Sequence, residues 1–129
     1  MSAFARDDQG RLCAGGMPLG DIAASHGSPL YVYSGDGIRD DYRRFAAAVA
    51  PVDGSVHFAL KANSALGVIG LLARHGAGAD IVSGGEMARA LAAGIPAEKI
   101  VFSGVGKSAE EIGAALDARI GQINAESPQ

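Results

Sequence analysis

Three observations predict an α/β chain built as the N-terminal half of a (β/α)8 barrel, preceded by a short β or irregular segment. A strand-then-helix unit recurs from Ser55 onward, with strands over residues 56–60, 79–82, 100–102 and 122–125. Successive strands start about 22 residues apart, close to the minimum for a parallel crossover connection. Gly76, Gly94 and Gly121 stand at or just beyond the ends of the intervening helices, where a left-handed residue is wanted. Right-handed crossovers then give a parallel sheet.

The elements follow in order. Asp8-Gln9-Gly10 is a turn signal flanked by Ala3-Phe4-Ala5 and Leu12-Cys13-Ala14, which predicts a hairpin. Residues 19–26 read as a short helix ended by Gly27, and residues 30–33 alternate as a strand closed by Ser34-Gly35. Between Asp36 and Ala50, the apolar residues Ile38, Tyr42, Phe45, Ala46 and Val49 fall at helical spacing until Pro51 stops the pattern. Helices are expected over 65–75, 85–93 and 109–118. Two segments result: residues 1–34 at the N-terminus and residues 35–129 as a partial barrel of about four βα units. A closed barrel needs eight strands and about 250 residues, so the chain is expected to be a fragment, or to pair through its open edges.

Composition narrows the function classes. The 129 residues are 48% hydrophobic and 19% charged, the profile of an ordinary globular domain. A net charge of -3, with basic residues scattered singly, offers no surface for a phosphate backbone, so no nucleic-acid partner is expected. The single cysteine, Cys13, excludes an internal disulfide and any multi-thiolate metal site. No apolar run approaches a membrane span and the first residues lack the order of a signal peptide, so a cytoplasmic location is expected. His26, His57 and His75 lie in three segments without ligand spacing, and no metal is expected. His57 is read as a core or surface residue that would reach the barrel lumen only at a bulge.

Lys61 is the residue with chemistry. It follows the apolar run Val56-His57-Phe58-Ala59-Leu60, at the strand tip where a barrel collects its catalytic side chains. An amine there can condense with an aldehyde cofactor, and the bland alternative is a solvated lysine in a βα loop. Asp80, 19 positions later at the tip of the next strand, would share the same rim; its alternative is an ordinary strand-end carboxylate. If Lys61 faces the lumen, so does Ala59, whose small side chain leaves room. Ser83-Gly84-Gly85-Glu86 turns the chain into the next helix, and Glu86 is either a rim residue or a first-turn glutamate favoured by the helix dipole. Gly106-Lys107-Ser108 ends like a phosphate-cradling loop, but Val101 stands where that motif needs its first glycine. A loop in which Ser108 caps the following helix is the better account.

The run Phe58-Ala59-Leu60-Lys61-Ala62-Asn63, continued through Val68, Ile69, Leu72 and Gly76, resembles the surroundings of the cofactor lysine in the ornithine/diaminopimelate/arginine decarboxylases. Gly27-Ser28-Pro29-Leu30-Tyr31-Val32-Tyr33, Gly78-Ala79-Asp80-Ile81-Val82-Ser83-Gly84-Gly85-Glu86 and the stretch from Lys99 to Ser108 extend the resemblance over nearly the whole chain. Within the family, Ser83-Gly84-Gly85-Glu86 and the stretch from Phe102 to Ser108 favour the diaminopimelate branch. The resemblance implies a pyridoxal phosphate (PLP)-binding barrel of the alanine racemase type. Residues 1–34 would be edge strands joining a C-terminal β domain of a full-length enzyme.

It further implies Lys61 as the catalytic lysine carrying PLP, with Asp80, Ala59 and Glu86 around the cofactor. The reaction implied is release of carbon dioxide from meso-2,6-diaminopimelate to give L-lysine, in a full-length homodimer. In the family the phosphate loop and the substrate-binding residues come later than position 129, so the chain alone is expected to be inactive. Two other readings are a racemase of the same fold, whose usual Tyr-Gly-His-Gly after Lys-Ala-Asn is here Ser64-Ala65-Leu66-Gly67, and a non-catalytic truncated paralogue that pairs with a full-length decarboxylase.

Overall fold

A computed structural model describes residues 3–127. Residues 1, 2, 128 and 129, which the two expected segments include, lie outside the described residues. The chain divides into two units, Met1–Asp41 and Tyr42–Gln129.

In the first unit, β1 (Phe4–Arg6), β2 (Leu12–Ala14) and β3 (Met17–Pro18) form an antiparallel sheet in that order. The predicted hairpin joins β1 to β2. Asp7 organises its turn, accepting from the backbone N–H groups of Gln9 and Arg11 and from the Arg11 guanidinium. The amide of Arg11, foremost among these donors, holds the Asp7 carboxyl below the usual aspartate range. α1 (Leu19–His26) has the predicted bounds and ends at Gly27, whose φ of 87° is open to glycine. The strand expected over 30–33 is absent. Alternation alone makes no strand without a ladder partner, and Tyr31 is 89% exposed. α2 (Gly35–Val49) begins where Ser34 accepts the Gly37 N–H, and a 3₁₀ turn, Ala50–Val52, ends it at Pro51.

The second unit carries the parallel sheet. β4 (His57–Ala59), β5 (Gly78–Ile81), β6 (Ile100–Phe102) and β7 (Gln122–Ile123) pair in sequence order. Between them run α3 (Leu66–Arg74), α4 (Gly84–Ala92) and α5 (Ala109–Asp117), each within a residue of the helix predicted there. β6 has the predicted bounds and β5 starts and ends one residue early, whereas two strands are shorter than predicted: Leu60 leaves β4 for a 3₁₀ turn, Leu60–Ala62, and β7 stops at Ile123.

Register sorts the two faces of this sheet. Phe58, Ala79 and Ile100 lie abreast, as do Ile81, Phe102 and Ile123. These rows pack with Ile69 of α3, Met87 and Ala90 of α4 and Ala115 of α5 into one core, in which Phe102, Leu60, Ile69, Ile81 and Ile100 are fully buried. The alternate row, Ala59, Asp80, Val101 and Gln122, therefore occupies the face away from the helices.

His57 belongs to that second face without any bulge, since positions 57 and 59 share a face by the period of two alone. Its ring lies over Gly78, where a Cβ would come within 2.5 Å of Nδ1. Gly76 and Gly94 take the left-handed conformation expected of them, at φ of 96° and 91°. Gly121 does not; Arg119 takes that conformation in its place, at φ of 54°. Glycine is required at 121 for another reason: a Cβ would overlap the Glu98 carbonyl oxygen.

Candidate functional site: the carboxyl ends of the parallel strands

Pairing of β4 with β5 sets Ala59 beside Asp80, and Lys61 comes two residues after Ala59 in the 3₁₀ turn. That turn lies against β5 and α4, anchored by the fully buried Leu60. Lys61 itself is exposed, while Ala59 and Asp80 are half-buried. The sheet thus brings an accessible primary amine, a carboxylate and a small side chain to one end of two adjacent strands.

The Asp80 carboxylate is held by residues the sequence reading passed over. The Ser103 hydroxyl, one position beyond β6, donates to Asp80 Oδ1 at 2.6 Å. The side-chain amide of Asn124, one position beyond β7, donates to Ser103 Oγ at 3.0 Å, and Gln122 Nε2 donates to Asn124 Oδ1 at 2.5 Å. Backbone bonds from Ser103 N–H to the Ile81 carbonyl and from Asn124 N–H to the Phe102 carbonyl carry the ladder past the strand ends and fix these side chains. The available signal was a polar residue directly after each of two apolar strands, but only register reveals that they face Asp80.

Glu86 is committed locally. Ser83 caps α4 by accepting the Glu86 N–H at 3.2 Å, and the Glu86 carboxylate returns to the Val82 N–H at 2.7 Å. Ser108 and Glu111 repeat the same spacing at α5 and close a full capping box. The Ser108 cap is thus as predicted, and the Lys107 ammonium bonds the Gly104 carbonyl within the preceding loop.

Glu111 also reaches across to α4 and accepts the Gly84 N–H at 2.7 Å. That bond, followed by the one from the Ser108 amide, holds its carboxyl below the usual glutamate range. Sequence reading missed Glu111, although the Ser-x-x-Glu spacing was there to find it. Among the described residues no group of three or more His, Cys, Asp or Glu could hold a metal ion, and no helix is long and apolar enough to cross a membrane.

This donor set fits the aldehyde end and ring of a pyridoxal: an amine to attach it, a fixed carboxylate beside it, and Ala59 to leave space. In the first turns of α4 and α5, the amides of Gly84, Glu86 and Glu111 are already taken, by Glu111, Ser83 and Ser108 respectively.

A pyridoxal is also the cofactor that the comparisons point to. Residues 36–129 match the family model described as pyridoxal-dependent decarboxylase, pyridoxal binding domain. The chain is 49% identical to the diaminopimelate decarboxylase of Zymomonas mobilis over 124 residues, covering 92% of the chain and 29% of the relative. It is 53% identical to that of Pseudomonas fluorescens over 118 residues, covering 92% and 28%. The crystal structure of M. jannaschii diaminopimelate decarboxylase in complex with L-lysine superposes with a TM-score of 0.91 at 36% identity, over 98% of the chain and 30% of that structure. The chain therefore spans less than a third of the length of these relatives.

Proposed function

From the premise that the chain belongs to the pyridoxal-dependent decarboxylases, as their pyridoxal-binding domain, we propose that it supplies the cofactor lysine of a diaminopimelate decarboxylase. The reaction is release of carbon dioxide from meso-2,6-diaminopimelate to give L-lysine. The observation that carries the proposal is the register setting Ala59 beside Asp80, with Lys61 in the turn that follows at once. The names of the relatives and the L-lysine in the M. jannaschii complex support the substrate.

Bound pyridoxal phosphate supplies an electron sink for the pair left behind when carbon dioxide departs. Lys61 would hold the cofactor through its primary amine. Asp80, in register with Ala59 on the next strand, supplies the carboxylate of the same rim. The small side chain of Ala59 leaves room for the cofactor on the same sheet face. The Ser83-Gly84-Gly85 turn, fixed by Glu86 and Glu111, shapes the neighbouring rim. In the full-length protein, we propose, residues 1–34 join a C-terminal β domain and the assembly is a homodimer.

Incubation with pyridoxal phosphate followed by borohydride reduction tests the assignment. The cofactor's mass is expected on the peptide carrying Lys61 and to vanish in Lys61→Ala. Equal labelling of Lys99 and Lys107, or none at Lys61, would overturn it. Release of carbon dioxide from meso-diaminopimelate by the full-length protein, lost in Lys61→Ala, tests the substrate.

A further inference from the structure

We infer that Ser103 and Asn124 are positioning residues that set the Asp80 carboxylate for its work beside Lys61. The inference rests on the cofactor reading above. Three adjacent parallel strands each contribute one member: Asp80 from β5, Ser103 from the end of β6, and Asn124 from the end of β7.

The direction of the chain is determined by its chemistry. A carboxylate only accepts, so the Ser103 hydroxyl must donate to Asp80, which leaves the Ser103 oxygen as acceptor for the Asn124 amide. Asn124 in turn presents its Oδ1 to Gln122, which fixes the orientation of its amide. Every donor points toward Asp80, and donors polarised in one direction strengthen the final bond to a charged acceptor. The short Ser103 to Asp80 distance of 2.6 Å accords with this.

Position matters as much as strength. Asp80, Ser103 and Asn124 are half-buried, and the backbone bonds of Ser103 and Asn124 tie both to the strand before them. With Oδ1 engaged by Ser103, rotation of the carboxylate is restrained on the sheet face that Asp80 shares with Ala59. Removing the serine hydroxyl would free that rotation without touching the helix-face core, because Ser103 belongs to the face away from the helices. An aspartate whose rotation is restrained loses less freedom when the cofactor arrives, which is where a positioning residue acts.

The test uses wild type, Ser103→Ala, Ser103→Thr, Asn124→Ala, Asp80→Asn and the Ser103→Ala/Asp80→Asn double variant, with two readouts. The first is the ¹³C signal of the Asp80 carboxyl, recorded without cofactor. It is expected to shift in Ser103→Ala and Asn124→Ala and to return toward wild type in Ser103→Thr. The second is the rate at which pyridoxal phosphate becomes reducible onto Lys61, read by peptide mass. It is expected to fall about five-fold in Ser103→Ala, the worth of one such hydrogen bond, and to fall no further when Ser103→Ala is added to Asp80→Asn.

An unmoved Asp80 signal in Ser103→Ala would overturn the hydrogen-bonded chain. A moved signal with unchanged trapping, or losses that simply add in the double variant, would overturn the positioning role while leaving Lys61 as the cofactor lysine. No adduct at Lys61 in wild type would overturn the cofactor reading, and this inference with it.

Discussion

Gly121 and Gly94 are both glycines near helix ends, yet they are required for different reasons. At Gly121 a Cβ would meet the Glu98 carbonyl, a backbone atom that cannot swing aside. At Gly94 nothing lies within 4 Å, and only the φ of 91° excludes other residues. Gly121→Ala is therefore expected to cost about 1 to 3 kcal/mol by overpacking, and Gly94→Ala about 1 to 2 kcal/mol by backbone strain. Urea denaturation of the two variants checks both losses, and a negligible loss in Gly121→Ala would contradict its steric account. Lys61 and Asp80 belong to this scale too. Their residue types and their places near strand tips were legible along the chain. The partner of Asp80 was not, because Ser103 is 23 positions away and only the pairing of β5 with β6 brings them together.

Helix beginnings carry the next level of organisation. Two Ser-x-x-Glu segments start α4 and α5, and they close differently. Glu111 completes its own capping box and also holds the first turn of α4, whereas Glu86 turns back to Val82. Ser108→Ala is expected to lower stability by about 1 kcal/mol, the usual worth of such a cap. Glu111 adds a dependence on pH. Its carboxyl is depressed in the folded state by the Gly84 and Ser108 amides, so its stabilisation is complete above the unfolded glutamate value and fades as pH falls through the lower folded value. The difference in melting temperature between wild type and Glu111→Ala should thus be constant near neutrality and shrink below about pH 4.3. A gap that persists undiminished into strong acid would refute the ionised clamp. Helices were legible because their apolar spacing and caps are local. The strand expected over 30–33 failed for the complementary reason, since a strand exists only where another strand answers its backbone.

At the scale of the second unit, one core joins the helix face of the sheet to three helices, and Phe102 lies at full burial within it. Phe102→Ala is expected to cost about 3 to 5 kcal/mol in denaturant unfolding. β5 and β6 have strand neighbours on both sides, whereas β4 and β7 are outermost in the described sheet. Amide exchange should therefore be slowest in β5 and β6, and comparable protection of β7 would show that the described sheet is not the cooperative unit. By itself the sequence determined the α/β class, the order of strands and helices in the parallel unit, and the lysine at a strand tip. Those depend on short-range periodicity, turn residues and a local motif. Only the tertiary structure decided the partners of the residues at the strand and helix ends. The parallel register sets Ala59 beside Asp80, aligns Ser103 and Asn124 into one chain of donors and places Glu111 across two helix ends. Such contacts arise from strand pairing and packing between residues more than twenty positions apart, where no local pattern reaches.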